Sequence, residues 1–153
     1  MRIALFQPDI AGNVGAILRL AACMAVPVEI IEPCGFIFDD KRLKRAAMDY
    51  GPLADMRRHV DWQAFQTFRH SIGARLILMS AHAPASIYRT EFRDTDILMM
   101  GSESAGVPPH VRDACDLATT IPMAPGLRSL NISVATGIAL GEALRQTRHL
   151  GDA

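Results

Sequence analysis

Residues 121–146 read IPMAPGLRSLNISVATGIALGEALRQ and join a short strand to a long helix. An apolar, β-rich run predicts a strand over residues 118–122, and apolar residues at helical spacing predict the longest helix over residues 129–148. Four polar residues stand together where this helix begins, namely Arg128, Ser129, Asn131 and Ser133. Serine and asparagine are preferred helix caps, but one cap suffices for one helix. The group therefore also predicts the wall of a site.

The same order of strand, polar loop and helix occurs earlier in the chain. Apolar runs predict strands over residues 2–6, 28–31, 75–79 and 96–100. Helices are predicted over residues 12–24, 41–48 and 108–115, with a short one opening at Asp61, and Asp39 and Asp40 are candidate caps of the second. Continuous apolar strands that alternate with helices are typical of an α/β fold, in which a mainly parallel sheet has helices on both faces.

Three loops that follow predicted strands are rich in glycine, proline and polar residues: residues 7–15, 101–109 and 122–131. Ligands of such sheets bind at the carboxyl ends of the strands, so we expect these loops to form one site. Asn13 and Gly15 stand at the predicted start of the first helix, where unpaired N–H groups favour anions, and Arg19 follows. Taken alone, each loop is also explained by helix caps and glycine turns.

Length and composition predict one domain over residues 1–153, because half of the residues are apolar and no linker or repeat divides them. The three cysteines lack a C-x-x-C spacing, which favours a reducing cytoplasm. The five histidines lack metal-ligand spacing, so we expect no catalytic metal. The longest apolar run, residues 20–28, is far shorter than the roughly 20 residues of a membrane span. G-x-G-x-x-G, phosphate-loop and G-x-S-x-G motifs do not occur.

Charge is unevenly distributed along the chain. The net charge is zero, yet residues 41–75 hold eight basic and three acidic residues. This excess of five positive charges fits either a solvated helical face or a nucleic-acid contact.

Small residues recur every four positions in the last predicted helix, at Ser133, Gly137 and Gly141. They therefore share one face, and glycine weakens an isolated helix by roughly 1 kcal/mol relative to alanine. Close packing against another backbone is the expected compensation, either in a subunit interface or within the chain.

Three ordered motifs together resemble those of the SPOUT methyltransferases: QPDIAGNVGAILR at residues 7–19, LMMGSESAGVPP at 98–109, and residues 121–146. The segment GFIFDDKRLKRAAMDYG at residues 35–51 and the small size are similar specifically to the tRNA wobble-nucleotide 2′-O-methyltransferases of the TrmL type. The resemblance implies a five- or six-stranded parallel sheet with a C-terminal deep trefoil knot. It also implies a homodimer whose site lies between the knot of one subunit and loops of the other.

The resemblance further implies that S-adenosylmethionine is the methyl donor, with S-adenosylhomocysteine as product, and that tRNA is the substrate. Main-chain groups would hold the donor at Met79, Gly101, Ile121, Ser129 and Leu130. Arg19 would lie near the attacking ribose hydroxyl, where it stabilises charge or binds phosphate, assisted by Ser129, Asn131 and Asn13, with Glu103 orienting one of these groups. The expected RNA contacts are Lys41, Arg42, Lys44, Arg45 and Arg128.

The expected activity is 2′-O-methylation of cytidine or uridine at position 34 of the anticodon. Two alternatives remain at this point. One is a related methyltransferase that acts on rRNA or on another tRNA position, and the other is a non-catalytic RNA-binding protein that has kept the fold.

Overall fold

A parallel sheet forms the centre of the computed structural model, which describes residues 1–38 and 41–147. Its strands are β1 (Arg2–Phe6), β2 (Val28–Ile31), β3 (Met56–His59), β4 (Leu76–Met79), β5 (Ala85–Ser86), β6 (Ile97–Met100) and β7 (Leu117–Thr120). They lie in the order β3-β2-β1-β6-β4-β7-β5, and every neighbouring pair is parallel. The predicted α/β class with a mainly parallel sheet is therefore confirmed.

Four of the five described α-helices connect strands, and the fifth follows the last strand. They are α1 (Ala11–Cys23), α2 (Lys41–Ala47), α3 (Trp62–Ser71), α4 (Pro109–Asp113) and α5 (Ile132–Thr147). Two 3₁₀ helices, Met48–Leu53 and Ile87–Arg89, complete the described elements. None of the helices in the described part of the chain is long and apolar enough to cross a lipid bilayer.

The helices cover both faces of the sheet, as the apolar strands predict. Alternate residues of β1 point to opposite faces: Ile3 and Leu5 pack in a core with α1, α2 and α5. Ala4 and Phe6 pack in a second core with α3 and α4. Because both faces are buried, the central strands β1, β4 and β6 carry apolar residues at nearly every position.

The sheet is wider than expected. The resemblance implied five or six strands, whereas the sheet has seven, because β3 and β5 add short strands at its two edges. Neither has an apolar run: β3 reads MRRH with two exposed arginines, and β5 has only two residues. The longest helix begins at Ile132 rather than Ser129. The candidate caps Asp39 and Asp40 lie outside the described residues.

A buried charge anchors the amino end of β6. Asp96 is fully buried and accepts hydrogen bonds from both Arg75 Nε, at 2.9 Å, and Arg75 Nη2, at 2.8 Å. The Arg93 backbone N–H donates to the same carboxylate at 2.7 Å. Buried carboxylates are tolerated when they are paired in this way. The segment around Arg93 thus lies at the amino ends of the strands, whereas the three polar loops lie at the carboxyl ends.

Helices α1 and α2 approach each other unusually closely at Gly15. A Cβ on Gly15 would lie 2.5 Å from the Leu43 carbonyl oxygen and 2.7 Å from Ala46 Cβ. Gly15 is buried in the interior of α1, so packing, rather than the expected role at a helix start, explains this glycine. The contact fixes the position of α2 on the sheet.

Two glycine substitutions in α1 test this contact. We expect Gly15→Ala to lower the free energy of unfolding by about 1–3 kcal/mol, because an added methyl overpacks the interface with α2. Gly12→Ala is the matched control: nothing lies within 4 Å of a Cβ there, and alanine favours the helix by up to about 1 kcal/mol. Urea unfolding of both variants measures the difference, and a Gly15→Ala protein as stable as the control would contradict it.

Candidate active site

One cavity of about 640 Å³ lies at the carboxyl edge of the sheet, where β1, β4, β6 and β7 end. All three polar loops contribute to its wall. The predicted site residues on this wall are Asn13, Met79, Gly101, Glu103, Ile121, Arg128, Ser129, Leu130 and Asn131. The expected convergence of the three loops is thus observed.

A chain of side-chain hydrogen bonds ties the three loops together. Asn13 Nδ2 donates to Glu103 Oε1 at 3.0 Å, and Asn131 Nδ2 donates to Asn13 Oδ1 at 3.0 Å. The pairs are separated by 90 and 118 residues in the sequence. Every donor in this chain points toward the Glu103 carboxylate, so each bond polarises the next in the same direction.

This series of side-chain hydrogen bonds extends to the start of α5. Asn131 Oδ1 accepts hydrogen bonds from the Ser133 backbone N–H at 2.8 Å and from Ser133 Oγ at 2.6 Å. Asn131 therefore caps the helix, in keeping with the preference for asparagine at this position. Arg128 and Ser129 precede the cap and are not needed for it, so both side chains remain exposed beside the cavity.

Asp9 connects the first loop to the second. Its Oδ2 accepts from the Ser104 backbone N–H at 2.9 Å and from Ser104 Oγ at 2.6 Å, and its own N–H donates to Glu103 Oε2 at 2.8 Å. The two hydrogen bonds from Ser104 lower the pKa of Asp9 below its usual range. The Asp9 carboxylate and both Glu103 carboxylate oxygens thus accept hydrogen bonds from other residues of the protein.

The second loop closes on itself as a tight turn. Ser102 and Gly106 exchange two backbone hydrogen bonds of 2.9 Å each. A Cβ on Gly101 would lie 2.6 Å from the Gly106 carbonyl carbon, and Gly106 has a φ of +67°. Both glycines are therefore required by the turn itself.

Arg19 is the one predicted catalytic residue that does not line the cavity. It lies six residues beyond Asn13 in α1, which corresponds to about 9 Å along the helix and about 120° around it. Its guanidinium group lies 5.5 Å from the centre of the Tyr50 ring, and its Nη1 donates to Met48 Sδ at 2.9 Å. In the single chain, Arg19 thus faces the 3₁₀ helix that follows α2.

The four predicted RNA contacts in α2 also lie away from the cavity wall. Lys41, Arg42, Lys44 and Arg45 are exposed, whereas Leu43 and Ala47 are buried against the core. The basic side chains therefore form the solvent-facing side of α2. The 3₁₀ helix that follows α2 contacts Arg19.

Sequence reasoning missed several side chains on the cavity wall: Ser80, His82, Ser102, Arg112 and Met123. Ser80 and His82 follow β4, so their position after a predicted strand was the signal that pointed to them. Arg112 lies in α4 and gave no such signal. Within the described residues, neither Arg112 nor Arg128 is paired with a carboxylate.

The face of α5 that carries the small residues Ser133, Gly137 and Gly141 is not in close contact with another backbone within the described part of the chain. A Cβ on Gly137 would meet Leu20 Cδ2 at an ordinary 3.8 Å, and one on Gly141 would meet nothing within 4 Å. Of the two explanations for this face, close packing inside the chain is therefore not observed.

Metal-binding clusters and two of the three cysteines can be assessed among the described residues. They contain no group of three or more histidine, cysteine or acidic side chains arranged to hold a metal ion. Burial raises the pKa of Cys34 and of Cys115 to about 11, so both thiols are protonated at neutral pH.

Comparison with known proteins supports one family. A relative from Beijerinckia indica subsp. indica named tRNA (cytidine(34)-2′-O)-methyltransferase is 47% identical over 144 residues, which cover 94% of this chain and 90% of the relative. A relative of the same name from Escherichia coli K12 is 37% identical over 99% of this chain and 96% of its own length.

Solved structures agree with this comparison. One described as "Structural insights into the 2-OH methylation of C/U34 on tRNA" has a TM-score of 0.90 and 41% identity, covering 95% of this chain and 94% of its own. An AdoMet-bound rRNA methyltransferase from Sinorhizobium meliloti has a TM-score of 0.86 and 25% identity, covering 94% of this chain and 55% of its own. The family model of the SpoU rRNA methylases matches residues 1–141. The resemblance to the SPOUT methyltransferases is thus confirmed, and the chain belongs to the SpoU methylase family.

Proposed function

We propose that this chain is an S-adenosylmethionine-dependent tRNA 2′-O-methyltransferase that acts on cytidine or uridine at position 34. The observation that carries the proposal is the cavity at the carboxyl edge, in which the loops of all three motifs are tied together by Glu103, Asn13 and Asn131. Relatives named for this activity match almost the whole chain.

The cavity suits the methyl donor in size and composition. Its volume of about 640 Å³ lies within the range of about 300–1,000 Å³ of small-molecule sites. Met79, Gly101, Ile121, Ser129 and Leu130 lie on the wall and would hold the donor through main-chain groups. When bound, S-adenosylmethionine supplies an electrophilic methyl group on its sulfonium sulfur.

Residues of this chain would align and stabilise the reacting ribose. Because Glu103, Asn13 and Asn131 satisfy one another, they hold the loops at fixed positions rather than act as a base. A guanidinium group has five N–H donors and no acceptor, so Arg19 serves to stabilise the developing alkoxide or to bind phosphate rather than to accept a proton. Holding the hydroxyl in line with the methyl group contributes several kcal/mol to catalysis.

The proposal includes a homodimer. Arg19 does not lie on the cavity wall of its own chain, so in the dimer the Arg19 of one copy would reach the cavity of the other. The half-buried face of α5 formed by Ser133, Gly137 and Gly141 makes no close backbone contact within the described residues, so it would suit close contact between copies. We include in the same proposal the deep trefoil knot that the resemblance implies, and a location in the cytoplasm, where tRNA is modified.

The RNA would be held mainly through its phosphates. Arg112 and Arg128 present guanidinium groups at the cavity without carboxylate partners among the described residues, and α2 presents four basic side chains next to Arg19. Phosphate contacts position an RNA without reading its sequence.

Activity on rRNA is a second candidate, favoured by the name of the matching family model.

A methylation assay separates activity on tRNA from activity on rRNA. We expect labelled methyl groups from S-adenosylmethionine to enter a tRNA pool, and a tRNA lacking the 2′-hydroxyl only at position 34 to accept none. Incorporation into rRNA alone would favour the second candidate. The absence of both incorporation and donor binding in a calorimetric titration would favour a non-catalytic RNA-binding protein.

Replacing Glu103 tests the role of the hydrogen-bonded chain. Glu103→Gln keeps the shape of the side chain but turns one acceptor into a donor, which then faces a donor from Asp9 or Asn13. We expect kcat/KM for tRNA to fall about 10- to 100-fold, since misplacing reacting groups by about 1 Å costs up to that much. The exposed Glu91→Gln variant serves as control, and equal activity of the two variants would refute this role.

Removing charge from α2 tests the RNA contacts. Lys41 and Arg45 lie one helical turn apart on its exposed side, and we expect Lys41→Ala/Arg45→Ala to weaken tRNA binding. Removal of each phosphate contact should reduce the slope of log affinity against log salt by about 0.7–0.9, while affinity for S-adenosylmethionine stays unchanged. The control is the double variant Arg89→Ala/Arg93→Ala, which removes the same charge from the segment between β5 and β6, away from α2. Filter binding at several salt concentrations measures both, and identical slopes for the two double variants would contradict the assignment.

A further inference from the structure

Arg19 is held by two uncharged side chains. Its Nη1 donates to Met48 Sδ at 2.9 Å, and its guanidinium group lies over the Tyr50 ring at 5.5 Å. We propose that Tyr50, with Met48, is a positioning residue that orients Arg19 toward the RNA without neutralising its charge. The inference rests on the proposed function, because it assigns Arg19 a part in methyl transfer.

The kind of partner distinguishes Arg19 from those arginines of the described residues that pair with a carboxylate. Arg2, Arg58 and Arg69 each form an ion pair with a carboxylate. Such a pairing cancels the charge and occupies the donors that bind phosphate bidentately. A thioether and an aromatic ring hold the guanidinium group through weaker contacts and leave its charge and most of its five N–H donors available.

The fold brings these partners to Arg19 through the close contact at Gly15. Arg19 lies four residues after Gly15, about 40° around the helix, so both face α2. Because α2 contacts α1 at Gly15, the 3₁₀ helix that continues from α2 passes next to Arg19 one turn later. Met48 has a φ of +51° at this junction. The turn thereby places the Met48 sulfur and the Tyr50 ring on the same guanidinium group.

Both partners are accessible rather than part of the core. Met48 is 53% exposed and Tyr50 is 37% exposed, and the Arg19 side chain is also exposed. Surface side chains that serve no packing role tolerate substitution with small effects on stability, usually within about 0.5 kcal/mol. An effect of Tyr50 on catalysis is therefore separable from an effect on folding.

Substitutions at Tyr50 test the inference with dimeric, full-length protein and purified tRNA. We expect Tyr50→Leu to lower kcat about fivefold at saturating tRNA and donor, the upper size of effect expected when one exposed cation–π interaction is removed. Tyr50→Phe retains the ring and should stay within about twofold of the parent. Affinity for S-adenosylmethionine should not change in either variant. The matched control is Tyr88→Leu, which removes the other tyrosine of the chain at an exposed site away from Arg19.

A double variant identifies the route of the effect. If Tyr50 acts through Arg19, Arg19→Ala/Tyr50→Leu should be no slower than Arg19→Ala alone, because the group being positioned is already missing. Losses that multiply in the double variant would show that Tyr50 acts independently and would overturn the inference. Urea unfolding verifies that Tyr50→Leu remains folded. Should it unfold, Tyr50→Gln, which removes the ring but keeps a polar side chain at this exposed position, takes its place, and unchanged kcat in that variant would also overturn the inference.

The outcomes also separate this inference from the proposed function. If Arg19→Ala abolishes methylation while Tyr50→Leu leaves kcat unchanged, the positioning role fails and the proposed function stands. If folded Arg19→Ala methylates position 34 as well as the parent, both the role of Arg19 and its positioning by Tyr50 fail, although the activity itself is retained. Failure of the proposed function is seen separately, as absence of methylation by the parent protein.

Discussion

The polar chain from the first turn of α5 through Asn131 and Asn13 to Glu103 is the constraint on which the cavity depends. It begins at a helix terminus, which offers only donors, and ends at a carboxylate, which offers only acceptors. Neither amide can therefore reverse its orientation without leaving a mismatched contact at one end. The parallel sheet brings the three loops to the same edge, and this directed chain determines how they sit relative to one another.

Two classes of polar group follow from this constraint. Asp9, Glu103, Asn13 and Asn131 are satisfied by partners in the protein and fix the walls. Arg112, Arg128 and Ser129 lie on the same walls, and none of them serves to cap α5 or to join the loops. This division explains how a cavity built from loops stays in shape while retaining polar groups for a ligand.

The inner strands and the convergence of the loops were predictable from the sequence, because both depend on local patterns. The apolar runs of β1, β2, β4 and β6 define buried strands, and each polar loop follows a strand. The edge strand β3 was missed because an exposed edge carries no apolar signal. The location of Arg19 was also beyond prediction, since it depends on which side of α1 meets α2. The reason for a glycine at position 101 was likewise beyond prediction, since it depends on how closely Gly106 approaches in the folded turn.

The uneven charge noted along the chain has a consequence for how two molecules meet. The solvent-facing side of α2 carries four basic side chains and no acidic one, although the net charge of the chain is zero. A neutral molecule with such a group of like charges on its surface has an electric dipole. It is not drawn toward a polyanion from a distance as a whole, but it experiences a torque that rotates its positive end forward during the encounter. Orientation, rather than attraction, is then what electrostatics contributes, and added salt would remove that bias within a Debye length of about 8 Å under physiological conditions.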